Sequence, residues 1–213
     1  MKFEIVCFDC DSTLSAIEGI DELARRVGLG EQMALLTNAA MNGEVSLQEV
    51  YAKRLQAIQP DRAAIEWVGQ LYIEHIVPGA LELLQQLQAQ QVEVHIISGG
   101  LRQAILPLAA YLGVPATRVH AVDIFLHADG SYQGFDALAP LAQTGGKATL
   151  CQQLNPQQRR IAMIGDGQTD LEAAQAGATV IGFGGVVARA AVQARADHFV
   201  AEPSLLAVLA YLQ

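Results

Sequence analysis

Apolar residues dominate the run from Phe3 to Phe8, which has the length of a buried strand. The pattern then lengthens its period. From about Glu18 to Ile76 apolar positions recur at helical spacing, as in Ile20, Leu23, Ala24 and Val27. Breaks fall at Gly28-Leu29-Gly30, Asn42-Gly43 and Gln59-Pro60-Asp61, and Ser46 and Asp61 stand where helix caps are expected. From Val77-Pro78-Gly79 onward helix and strand patterns alternate. A helix runs to about Gln90, a strand covers Val92 to Ile97, and a helix starts at Leu101. Further strands fall near Arg160 to Ile164, Ala178 to Ile181 and His198 to Val200. Such alternation predicts βαβ units around a parallel sheet flanked by helices. Two β-like runs within Val122 to Phe135 flank Ala128-Asp129-Gly130-Ser131, which predicts an antiparallel β-hairpin flap. The expected fold is therefore α/β, with a core of residues 1–13 and 77–213. A small helical cap of residues 14–76 is inserted after the first strand, leaving a cleft over Asp9.

Composition narrows the partners. The chain has 213 residues, of which 52% are hydrophobic and 16% charged, enough for a sizeable core. No apolar run approaches the roughly 20 residues of a membrane span, and the first residues enter a strand without a basic leader. A cytoplasmic protein without a membrane partner is expected. Thirteen Lys and Arg against 22 Asp and Glu give a net charge of -9, which opposes nucleic acid. Three cysteines suit a reducing compartment. Cys7 reads as a core residue, and Cys10 is expected to be partly exposed beside the neighbouring carboxylates. Their CxxC spacing sends the two thiols to opposite faces of a strand, and no second pair completes a zinc site. The five histidines are scattered and make no ligand pattern.

Chemistry concentrates at the strand ends. Asp9 and Asp11, in Asp9-Cys10-Asp11-Ser12-Thr13, follow the first strand, where open α/β sheets place their sites. Two close carboxylates raise each other's pKa, which invites a bound cation or a division of labour between ionised and protonated groups. Ser98-Gly99-Gly100, placed before a helix, offers a hydroxyl and unhindered N–H groups to an oxyanion. Lys147, after Thr144-Gly145-Gly146, adds an ammonium at a helix start, and Gly165-Asp166-Gly167-Gln168-Thr169-Asp170 supplies two more carboxylates. Singly, each has an ordinary alternative: a turn, a cap or a solvated lysine. Together they converge on one sheet edge. Even at an effective dielectric of ~20, two unit charges at 4 Å repel by about 4 kcal/mol, so four carboxylates facing a phosphate need a dication. All-oxygen ligands suit Mg²⁺ better than zinc.

This series of motifs resembles the haloacid dehalogenase (HAD) superfamily and, within it, the phosphoserine phosphatases, over nearly the whole chain. The insertion joins the likeness through Glu18-Gly19-Ile20-Asp21-Glu22-Leu23-Ala24 and Arg54-Leu55, and the close through Ile181-Gly182-Phe183-Gly184-Gly185. That glycine cluster lacks the third glycine of a dinucleotide fingerprint. The resemblance implies a HAD-like Rossmannoid fold and Mg²⁺-dependent hydrolysis of O-phospho-L-serine, the last step of serine biosynthesis, by a monomer or homodimer. It gives Asp9 the role of nucleophile and Asp11 that of acid and base. It assigns Mg²⁺ to the side chains of Asp9 and Asp166 and the carbonyl of Asp11, with Asp170 in support. It assigns phosphate and adjoining substrate groups to Ser98, Gly99, Gly100, Lys147 and Thr169. Glu18 and Arg54 would take the substrate ammonium and carboxylate, although alone each reads as solvated helix surface. Met41 and Asn42 fall near the substrate, and Leu47 stands where relatives often have Phe. Two alternatives stay open: a phosphotransferase or phosphatase for another small amine phosphate, and a phospho-acceptor signalling domain.

Overall fold

The computed structural model describes residues 2–41 and 47–213. The chain begins with β1 (Ile5–Phe8), followed by α1 (Gly19–Arg26), α2 (Gly30–Met41), α3 (Leu47–Ile58), α4 (Arg62–Glu74) and α5 (Ala80–Ala89). Then come β2 (Glu93–Leu101), α6 (Arg102–Tyr111), β3 (Val119–Val122), β4 (Ile124–Leu126), β5 (Tyr132–Phe135) and α7 (Gly146–Leu154). The remainder is β6 (Ile161–Gly165), α8 (Gln168–Leu171), β7 (Thr179–Phe183), α9 (Ala190–Arg195), β8 (His198–Val200) and α10 (Leu209–Leu212).

Among the described residues, six parallel strands form one sheet in the order β3-β2-β1-β6-β7-β8. β1 is central and buried on both faces, which is why it reads as a near-continuous apolar run rather than an alternating one. Val6 lies opposite Val94 and Ala162, and Phe8 opposite Ile96 and Ile164. That register brings Asp9 and Asp166 out at adjacent strand ends beside Ser98 of β2, with the Asp9 N–H still donating to the Ile164 carbonyl at 2.9 Å.

Two expectations need correction, and one strand was not expected. β2 does not stop at Ile97 but runs to Leu101, with a register shift between Ile97 and Leu101. Ser98-Gly99-Gly100 is therefore irregular strand, and α6 starts only at Arg102. β3 pairs with β2 at the sheet edge, and its Val-His-Ala-Val sequence is too short and too polar to announce a strand. Cys10 is wholly buried rather than partly exposed. The chain reverses there, the Cys10 carbonyl accepting from Thr13, Leu14 and Ser15 N–H, and the thiol turns inward.

Between β1 and α5 lie the four helices α1 to α4. The two chain segments leading into and out of them are bonded together: Ala16 N–H donates to the His75 carbonyl at 2.8 Å and Val77 N–H to Leu14 at 2.9 Å. Asp61 caps α4 as expected, accepting from Ala64 N–H at 2.8 Å, a contact typically worth about 1 kcal/mol. β4 and β5 form the antiparallel hairpin. At its tip the Gly130 carbonyl accepts from Arg62 N–H at 2.9 Å, and the Phe135 ring lies 5.3 Å from that of Tyr51. The flap is thus fastened to α4 and α3. Asn42, the Asn42-Gly43 break and Ser46 lie outside the described residues, and so do the side chains of Met41 and Leu47. Among the described residues no helix is long and apolar enough to cross a membrane.

Candidate active site

After β1 the backbone leaves the extended region through Ser12, whose φ of 52° is rare for a side chain other than glycine. This bend turns the Ser12 hydroxyl onto Glu18 Oε1 at 2.7 Å. Asp9 and Asp11 both line one cleft, together with Glu18 and Arg54 from the inserted segment and Lys147 and Asp166 from the sheet side. Counted with the open solvent at its mouth, the space in the cleft is about 680 Å³.

Lys147 ties the floor together. Its Nζ lies 2.6 Å from both Asp9 Oδ2 and Asp170 Oδ1, while Asp170 Oδ2 accepts the Gly167 N–H at 2.9 Å. Burial favours the neutral amine, but Asp170 and Asp9 more than offset it and hold Lys147 charged. Asp166 receives Arg189 Nε on Oδ2 at 3.0 Å. Burial and the neighbouring Asp9 raise Asp166 to about 6, against the pull of Arg189. Gly165 has to be glycine, because a β-carbon there would overlap the Asp170 carboxylate.

Asp11 is held differently. Its Oδ1 accepts two hydrogen bonds of 2.7 Å, from Gly19 N–H and the Tyr72 hydroxyl, and its Oδ2 lies 3.4 Å from Ser98 Oγ. Burial and Asp9 lift its pKa to about 6, and the two donors oppose the rise. Glu18 is raised by burial, then by Asp11 and Asp166. Arg54, 2% exposed, is pushed down by burial. Carboxylates outnumber cations here, and oxygens of Asp9, Asp166 and Asp170 lie within 4.8 Å of one another. A hard divalent cation matches that donor set.

A haloacid dehalogenase-like hydrolase family model matches residues 3–177. The chain belongs to the haloacid dehalogenase-like hydrolases. This hydrolase is 38% identical over 201 residues to a phosphoserine phosphatase of Homo sapiens, covering 93% of this chain and 89% of that protein. It is 40% identical to a chloroplastic phosphoserine phosphatase of Arabidopsis thaliana, covering 92% and 68%. A phosphoserine phosphohydrolase-like protein from Francisella tularensis superposes with a TM-score of 0.86 at 26% identity, over 97% of this chain and 99% of that one.

Most residues singled out in the sequence meet in the hydrolase's cleft: Asp9, Asp11, Glu18, Arg54, Gly99, Gly100, Lys147, Asp166 and Thr169 line it. Ser98 is wholly buried behind it, its hydroxyl accepting from Gly100 N–H at 3.0 Å. Asp170 is also fully buried, with both carboxylate oxygens engaged. Sequence reasoning missed Arg189, Tyr72 and Glu172. Arg189 reaches Asp166, and also Asn38 at 3.3 Å and Glu18 at 3.9 Å, from a loop segment without a motif. Tyr72 sits on the buried face of α4, where it reads simply as core. Glu172 accepts the Gly145 N–H at 2.8 Å and so holds the turn that carries Lys147.

Proposed function

We propose that this phosphoric monoester hydrolase acts on O-phospho-L-serine through an aspartyl-phosphate on Asp9. The observation that carries the reading is one cleft lined from two sides: Asp9, Asp11 and Lys147 at the sheet, and Glu18 and Arg54 on the inserted segment. The sheet side suits a phosphate and the other side an ammonium and a carboxylate. The human and plant relatives named phosphoserine phosphatases support the same choice. Residues 14–76 act as the substrate-reading cap of a core made of 1–13 and 77–213.

Asp9 attacks phosphorus, the P–O bond to the serine oxygen breaks, and Asp11 gives that oxygen its proton. A water then attacks the acyl phosphate, Asp11 takes the water proton, and inorganic phosphate leaves with Asp9 restored. Ser98, Gly99, Gly100, Lys147 and Thr169 bind phosphate oxygens or adjoining substrate groups, and Glu18 and Arg54 orient the amino acid. Asp9 and Asp166, with the Asp11 carbonyl and with Asp170 in support, are the residues that would hold Mg²⁺. When bound, the cation neutralises the clustered carboxylates and stabilises charge on the phosphate. A signalling receiver has no use for Asp11 or for the insertion, so it is the weaker alternative.

The test is phosphate release from L-phosphoserine, phosphoethanolamine, phosphothreonine and a sugar phosphate, with Mg²⁺ or EDTA, for wild type and Asp9→Asn. Preference for L-phosphoserine that disappears with EDTA and with Asp9→Asn is expected. Metal-dependent release from another substrate would overturn the specificity, and activity retained by Asp9→Asn would overturn the mechanism.

A further inference from the structure

Tyr51 lies on α3, one helical turn before Arg54, and lines the cleft. It is 2% exposed, and its hydroxyl has no hydrogen-bond partner among the described residues. Tyr72, buried as deeply, shows the ordinary solution, its hydroxyl being spent on Asp11. A hydroxyl taken out of water without a partner loses its hydration and regains nothing, whereas a phenyl ring would fill the same space at no such cost. The Tyr51 ring is fixed, against Phe135 of the flap on one side and with the Arg54 guanidinium carbon 5.7 Å from its centroid. Its hydroxyl therefore awaits, on a ring that lines the cleft and lies beside a cation, an acceptor that the described residues do not supply.

We propose that Tyr51 is a specificity-determining residue whose hydroxyl donates to the substrate carboxylate alongside Arg54. The proposal rests on the phosphoserine reading above. Of the groups on that substrate, the carboxylate is the acceptor that a neighbouring guanidinium also attracts. The phosphate belongs with Lys147, and the ammonium has no lone pair to offer.

The test is Tyr51→Phe, with kcat/KM measured for L-phosphoserine and for phosphoethanolamine, which lacks the carboxylate, and thermal melting of the ligand-free protein. The L-phosphoserine to phosphoethanolamine ratio is expected to fall about tenfold, mainly through KM, as for loss of one hydrogen bond to a charged group. The melting temperature is expected to stay level or rise, because an unpaired buried hydroxyl has gone. An unchanged ratio, an equal loss on both substrates, or a fall of several degrees in melting temperature would overturn the proposal. Wild type that does not distinguish the two substrates would bring down the phosphoserine reading and this proposal with it. Wild type that distinguishes them, with a variant that keeps the ratio, would bring down the role of Tyr51 alone.

Discussion

Replacing Tyr72 by Phe removes one oxygen from the hydrolase and tests whether the inserted helices position Asp11, the proposed acid. The lost contact is a 2.7 Å hydrogen bond to a carboxylate, from a side chain only 1% exposed. Hydrogen bonds to charged groups contribute about 1.5–3 kcal/mol. The lower end applies, because Gly19 N–H still holds the same Asp11 oxygen at 2.7 Å. The close fit supports the pairing: a β-carbon on Gly19 would overlap the Tyr72 hydroxyl, so glycine is what lets both donors reach one oxygen. Loss of about 1.4 kcal/mol corresponds to a tenfold fall in rate.

The assay is kcat/KM, which reports steps through departure of the alcohol, for L-phosphoserine and for p-nitrophenyl phosphate. In the proposed mechanism serine leaves as a poor alkoxide and takes its proton from Asp11, whereas p-nitrophenolate leaves without one. Tyr72→Phe should therefore lower kcat/KM for L-phosphoserine about tenfold and for p-nitrophenyl phosphate less than threefold, with Asp11→Asn showing the same pattern more strongly. Melting should fall by roughly 2–4 °C for each kcal/mol of stability lost. Equal losses on the two substrates would refute the reasoning and leave Tyr72 a packing residue.

Two further predictions concern other parts of the chain. Gly165→Ala should drive Asp170 away from Lys147, cost about 1–3 kcal/mol of stability by overpacking, and lower phosphate release at least tenfold; a variant with wild-type melting and turnover would contradict this. His120, stacked on His95 with Nε2 3.0 Å from its Nδ1, is lowered to about 4 by burial and then by His95 and Arg102. A base whose folded pKa lies below its unfolded value binds fewer protons when folded, so its contribution is intact above about pH 6.5 and fades as pH falls from there toward 4. Wild type should therefore lose more melting temperature than His120→Gln between pH 7 and pH 4.5, and parallel curves for the two would disprove it.

What was legible in the sequence follows from how directly each feature depends on local pattern. β1, β6 and the strand ends carrying Asp9 and Asp166 declare themselves through apolar runs that end in glycine and polar residues. The cap at Asp61 and the hairpin around Asp129 are equally local. The end of β2 is not, because Ser98-Gly99-Gly100 is a turn signal overridden by pairing of Leu101 with Val122 across the sheet. Cys10 was misjudged because the turn that buries it is made by its carbonyl, whose partners are three to five residues ahead.

The residues that escaped notice share a cause: their partners are remote in the chain. Arg189 meets Asp166, and Tyr72 meets Asp11 across 61 positions. Each serves the same electrostatic need. A floor containing Asp9, Asp11, Asp166 and Asp170 cannot be neutralised by Lys147 alone, since that one ammonium already bridges Asp9 and Asp170. Asp166 and Asp11 must find donors elsewhere, Asp166 from Arg189 and Asp11 from Tyr72 and Gly19. Arg189 also approaches the acceptors Glu18 and Asn38, so its charge is shared between Asp166 and the inserted segment. The hydrogen bonds that Asp11 takes from Tyr72 and Gly19 thus tie the inserted segment to the strand ends, and the cleft lies between the two.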